Sequence, residues 1–108
     1  WRFIGGFVDP ADTSLEHSAR REVCEETGVE AESFTYVGST QVEDWRYRGR
    51  EDSVLSTLFI ATYVFGKPTA NDDIAEVAWH PRASLESVLI ASHKPLGAML
   101  RAYFTKHN

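Results

Sequence analysis

Apolar and polar positions change their rhythm several times along the chain, and each change marks an element. Trp1-Arg2-Phe3-Ile4 opens apolar and extended, and the run to Val8 reads as a strand entered midway. Gly5-Gly6 interrupts it, where a bare backbone permits close approach or positive φ. Asp9-Pro10-Ala11-Asp12 has the composition of a turn. From Thr13 or Ser14, either a fair N-cap, to Thr27 the chain is rich in Glu, Arg, Ala and Leu, and Gly28 supplies a stop; a helix is predicted there. Ser33 to Thr40 alternates loosely around Phe34, Tyr36 and Val37, a strand. Val54 to Phe65 is the clearest strand, β-branched and aromatic, ended by Gly66-Lys67-Pro68. Between the two, the charged stretch Glu43 to Asp52 reads as a hairpin or long loop. Asn71-Asp72-Asp73 is a turn, and Ile74 to His80 alternates as a further strand before Pro81. Ser84 to Ala91 reads as helical. A last helix, capped by Ser92 with Pro95 in its first turn, spaces Leu96, Met99, Leu100 and Tyr103 as a core stripe.

Composition narrows the class. A chain of 108 residues, 43% hydrophobic and 25% charged, with six Phe, four Tyr and three Trp, predicts one globular domain over 1–108. No apolar run approaches the ~20 residues of a membrane span, so no membrane partner is expected. The net charge of −5 argues against a free-standing binder of nucleic acid. A lone cysteine, Cys24, excludes an internal disulfide framework and a cysteine zinc cage, and fits a reducing, cytoplasmic setting. A chain that begins at Trp1 and holds its only methionine at Met99 reads as N-terminally incomplete, with strands expected upstream.

The candidate chemistry sits on the first helix. On a wheel of about 100° per residue with Leu15 as origin, Ala19 falls near 40° and Val23 near 80°. Glu22 then lies at about −20°, Glu26 at about 20° and Glu25 at about −80° on the same wheel. The glutamates therefore run along or beside the apolar stripe, while His17, Arg20, Arg21 and Cys24 occupy the other half. Carboxylates gathered within about two turns repel one another and need a cation. A hard divalent ion taking oxygen ligands is one solution. An Arg21–Glu25 pair at i,i+4 within a surface lattice of ion pairs is the other.

Gly6 through Val29 resembles the Nudix box, G-x5-E-x7-R-E-U-x-E-E-x-G-U, with U aliphatic. Arg21-Glu22-Val23-Cys24-Glu25-Glu26-Thr27-Gly28-Val29 matches its second half without a break. Upstream the chain has Asp12 in place of Glu, with one residue more before Arg21 than the pattern has. The resemblance implies an α/β fold in which a mixed β-sheet is sandwiched between helices. It implies a hydrolase of nucleoside diphosphates linked to another moiety, using Mg²⁺ or Mn²⁺ held by Glu22, Glu25 and Glu26. By the same resemblance Glu25, Glu26 and Arg21 form the catalytic group, Arg21 fixing a glutamate rotamer, and the Gly5-Gly6 backbone lies beside metal or phosphate. The general base is open among the box and Glu51, Asp52, Asp72, Asp73 and Glu76.

The stretch Asp44-Trp45-Arg46-Tyr47-Arg48, with Ala70-Asn71-Asp72-Asp73-Ile74, is similar to Nudix domains of NAD metabolism, which implies ADP-ribose or a related dinucleotide as substrate. If 43–50 is extended, Arg46, Arg48 and Arg50 share one face, where they could grip phosphate as forks, and Trp45 and Tyr47 share the other, where they could stack on bases. An exposed hairpin whose arginines balance Glu43, Asp44, Glu51 and Asp52 is the alternative. The proline that some ADP-ribose hydrolases carry about fifteen residues after the box is absent. A nucleotide partner is expected, and the resemblance also admits a homodimer. It leaves a second class open, a non-catalytic Nudix domain that senses ADP-ribose within a transcription regulator.

Overall fold

The computed structural model describes residues 1–42, 54–71 and 74–107. Helix α1 spans Leu15–Thr27, strands β1 and β2 span Glu30–Val42 and Val54–Phe65, and helices α2 and α3 span Leu85–Val88 and Lys94–His107. Single 3-10 turns at Arg82–Ser84 and Ala91–His93 precede the last two helices. The α/β class follows from these elements. Strands β1 and β2 pair antiparallel, with Ser39 Oγ 3.1 Å from Thr57 Oγ1 across the ladder.

The ends of α1 obey local chemistry. Ser14 is extended (φ −162°, ψ 168°), and its hydroxyl accepts the His17 N–H at 3.0 Å, one of the donors a helix start leaves bare. Gly28 closes the helix in the left-handed region at φ 71°, donating to the Cys24 carbonyl at 2.9 Å. β1 begins earlier and ends later than alternation predicts. Ser33 stands in the left-handed region at φ 56°. Ala31 is shielded before it and Phe34, Val37, Gly38, Thr40 and Val42 after it, while Tyr36 is exposed, so burial does not alternate strictly along the strand.

Two expected strands are absent from the described structure. Residues 1–8 and 74–80 form no strand among the described residues. Alternation reports only which side chains prefer shelter; a strand also needs a regular ladder for its N–H and C=O groups. The helix expected over 84–91 is shorter, because the chain turns extended at Leu89 (ψ 142°) and Ile90 (ψ 156°) before the next turn. The last helix holds, with Pro95 in its first turn, where no N–H is needed. The start of that stretch is a 3-10 turn flanked by Ile90, so Ser92 lies inside the turn and not at a cap.

The chain divides into two compact units. One takes in the described residues of Phe3–Thr35 and Phe59–Trp79 and contains α1. Ser18, Thr27 and Val29 are buried there, and Phe34 meets Phe59 edge to face at 6.4 Å. The other takes in Trp1–Arg2 with the described residues of Tyr36–Leu58 and His80–Asn108. Its shielded side chains include Val42, Leu58, Leu89 and Leu96. Met99 packs onto Gly38, where a Cβ would meet Met99 Sδ, and Gly97 admits Leu89 in the same way. No helix among the described residues is long and apolar enough to cross a membrane.

Candidate active site

Arg21 is the hub of the box. Its Nε donates to Asp12 Oδ1 at 3.0 Å and its Nη2 to Asp12 Oδ2 at 2.9 Å, the two-pronged geometry that suits a guanidinium to a carboxylate. Nη1 donates to Glu25 Oε2 at 3.0 Å and lies 3.1 Å from Glu22 Oε1. Nη2 also reaches the Phe7 carbonyl at 3.3 Å. One cation thus gathers three carboxylates, two from its own helix and one from the preceding turn.

That turn is built for the task. The Asp12 N–H donates to the Asp9 carbonyl, the Ala11 N–H to Asp9 Oδ1 and the Asp9 N–H to Asp12 Oδ2, each at 2.8 Å. The Asp12 side chain is 1% exposed. The Arg21 guanidinium, helped by the Asp9 N–H, holds its carboxyl well below the usual carboxylate range. Asp12 in turn pushes the Arg21 guanidinium further above its already high value. The extra residue between Asp12 and Arg21 is absorbed without loss of this pairing. Chain spacing alone does not reveal Asp12 as Arg21's partner; the signal available is its position six residues beyond Gly6, where the pattern has its acidic residue.

Glu22 is held on its other side by backbone. A Cβ on Gly6 would lie 2.7 Å from Glu22 Oε1, so only glycine lets the chain pass this close to the carboxylate. Gly5 is different, with nothing within 4 Å of such an atom. Exposure separates the glutamates as the wheel does: the Glu22 side chain is 14% exposed and that of Glu25 52%. Oε2 of Glu26 is buried. Leu15, taken as the inward origin, is itself exposed because it stands at the helix's first position, and Cys24 is exposed on the far face.

The C-terminal turn of α1 is clamped from a distant segment. The Asn71 N–H donates to the Glu26 carbonyl at 3.0 Å and the Thr69 N–H to the Thr27 carbonyl at 2.9 Å. Thr27 Oγ1 donates to the Val23 carbonyl at 2.6 Å and accepts the Val29 N–H at 3.2 Å. Gly66, at φ 113°, packs so tightly that a Cβ would sit 2.8 Å from the Gly28 carbonyl oxygen. The amide donations from Thr69 and Asn71 carry no residue-type signal that a sequence could display.

Of the residues expected in the site, the structure brings Gly6, Arg21, Glu22 and Glu25 together and places Glu26 one turn from Glu22 on the same helix. Trp45, Arg46, Tyr47, Arg48, Arg50, Glu51, Asp52, Asp72 and Asp73 lie outside the described residues, and Glu76 is exposed. Among the described residues no three acidic, histidine or cysteine groups are gathered as a metal cage. The donors are nonetheless carboxylate oxygens on one helix face, with a glycine backbone laid against one of them, and that chemistry suits a hard divalent ion.

A family model described as the NUDIX domain matches residues 1–103. Among curated proteins the chain is similar to "Nudix hydrolase 19, chloroplastic" of Arabidopsis thaliana, at 28% identity over 93 residues, covering 82% of this chain and 20% of that protein. It is also similar to "NAD-capped RNA hydrolase NudC" of Vibrio vulnificus (strain CMCP6), at 34% identity over 101 residues, 92% of this chain and 33% of that protein. The chain thus spans about a fifth and a third of the lengths of these two relatives. Among solved structures it resembles the NUDIX domain of Shewanella oneidensis NrtR complexed with ADP ribose, with a TM-score of 0.70 at 20% identity, over 92% of this chain and 64% of that one. That likeness bears on the fold.

Proposed function

Because the chain belongs to the NUDIX domain family, we propose that it forms the hydrolytic domain of a divalent-metal-dependent nucleotide pyrophosphatase. Its substrate is a nucleoside diphosphate linked to another moiety, ADP-ribose or a related dinucleotide. The observation that carries this reading is the Arg21 hub, which sets Glu22 between a guanidinium and the bare Cα of Gly6. The family's relatives point the same way, since NAD and ADP-ribose both contain an adenosine diphosphate.

Each residue then has a task. Glu22 and Glu26, four residues apart on one helix face, are the principal ligands for Mg²⁺ or Mn²⁺, with Glu25 as the third. When bound, such an ion polarises phosphoryl oxygens and lowers the pKa of water. Arg21 stays cationic and, anchored by Asp12, limits the rotamers of Glu22 and Glu25. Asp12 is committed to Arg21 on both oxygens and is left out of the donor set. Gly5 and Gly6 offer backbone to the diphosphate, and Arg46 and Arg48 are the side chains assigned to grip it.

A second reading, nucleotide binding without turnover, draws on the same hub: Arg21 Nη1 already offsets the charge of both Glu22 and Glu25. The experiment incubates the full-length protein and its Glu26→Gln variant with Mg²⁺ or Mn²⁺. The substrates are ADP-ribose, NADH, sugar nucleotides, dinucleoside polyphosphates and nucleoside triphosphates, with products resolved by chromatography. Metal-dependent cleavage at the diphosphate, abolished in the variant, establishes the hydrolase. Binding of ADP-ribose with no turnover replaces it by the sensor.

A further inference from the structure

Two large aromatic rings stand open in the unit that carries α1. Trp79 keeps 68% of its surface exposed and Tyr63 51%, although both are side chains that a fold ordinarily shelters. They are in contact with each other, centroids 5.6 Å apart and planes at 89°. An edge-to-face pair engages the face of one ring and the edge of the other, so the pair still presents an open π face. Tyr63 is also fixed at its tip, where Oη donates to the Gly66 carbonyl at 2.7 Å.

Gly66 ties this pair to the acidic helix. Its left-handed backbone lies against the carbonyl of Gly28 and the Cα of Val29, at the end of the turn that bears Glu25 and Glu26. From Tyr63 through Gly66 to Gly28, each link is a hydrogen bond or a backbone contact. The rings are therefore held by the same scaffold as the carboxylates, and a ligand settling on them loses little further side-chain freedom.

We infer that Trp79, braced by Tyr63, is the stacking platform for the nucleobase of the ligand, and so a specificity-determining residue for nucleotides over bare diphosphates. The inference rests on the reading of the box as a nucleotide site. A base offers a flat π face to an indole, and such a stack is sequence-tolerant, worth about tenfold or more in affinity per base. Tyr63 is a positioning residue, acting through Trp79.

The test is equilibrium binding by calorimetry to the full-length protein with Mg²⁺, using ADP and inorganic pyrophosphate, which share a diphosphate and differ in the nucleoside. Trp79→Ala is expected to weaken ADP by about tenfold or more and leave pyrophosphate unchanged. Trp79→Phe should recover most of the ADP affinity, and Tyr63→Phe, which frees the ring tip, should give a smaller loss confined to ADP. Quenching of tryptophan fluorescence by ADP should be smaller in Trp79→Phe than in the unaltered protein. The platform is overturned if Trp79→Ala leaves ADP affinity intact, or if it weakens both ligands equally while lowering the melting temperature. If neither ligand binds the unaltered protein, the nucleotide reading itself falls and takes the platform with it.

Discussion

Asp12 and Arg21 form a two-pronged ion pair, 3.0 and 2.9 Å, in which the carboxylate is sealed from solvent and the guanidinium reaches on to Glu22 and Glu25. Asp12 therefore acts on the glutamates without touching them. Asp12→Asn keeps the shape and removes the charge; Arg21→Lys keeps the charge and removes the fork. Each is expected to lower metal-dependent turnover about 10- to 100-fold, the usual cost of losing a partner that orients ligands. Steady-state kinetics with a metal titration measures this, and unchanged turnover in both variants would detach Arg21 from the site.

The same pair sets an acid limb. The Asp12 carboxyl is depressed in the fold, so its contribution to stability is complete well above its ordinary value of 3.8. That contribution is lost progressively as pH falls through 3.8 toward the lower folded value. Thermal melts between pH 6 and 2 should show a steeper decline for the unaltered protein than for Asp12→Asn, which has no proton to take up there.

Gly5 and Gly6 are adjacent but differently surrounded. Alanine at 6 brings a Cβ to 2.7 Å from the Glu22 carboxylate, the mobile end of a long side chain, so the fold tolerates it while the carboxylate is displaced. Gly6→Ala is expected to cut turnover by about tenfold or more with little change in melting temperature, since even a shift of about 1 Å in a catalytic arrangement is costly. Gly5→Ala meets no atom within 4 Å and should leave the melting temperature unchanged.

Two helix-end substitutions should act on stability. Ser14→Ala removes the N-cap acceptor of the His17 N–H and is expected to cost about 1 kcal/mol. Thr27→Val keeps the volume but strips the hydroxyl from a site 2% exposed, leaving the Val29 N–H without its acceptor, at about 1–3 kcal/mol. Differential scanning calorimetry checks both, with about 4–8 °C expected per kcal/mol in a domain of this size.

The sequence was most legible where structure is decided locally. Ser14 and Gly28 bound α1 because a cap hydroxyl and a left-handed glycine are one-residue decisions. β2 runs from Val54 to Phe65 as its composition and its closing glycine require. The inward set of Glu22 and Glu26 follows from helical periodicity. What stayed hidden depends on partners distant in the chain. Residues 1–8 and 74–80 alternate like strands without becoming strands here. Asp12 finds Arg21 only because the Asp9–Asp12 turn folds the extra residue away. The left-handed backbone of Ser33 within β1 is an event that no hydropathy pattern encodes.

Thr69 and Asn71 donate their amides to the last carbonyls of α1, and this makes the helix end and the segment after β2 one opening unit. In native-state hydrogen exchange the two amides should share the protection of the α1 interior, not the rapid exchange ordinary for a connecting loop. Cleavage ahead of Gly66 would leave the Glu26 and Thr27 carbonyls bare, and the helix would fray from the end that carries its glutamates.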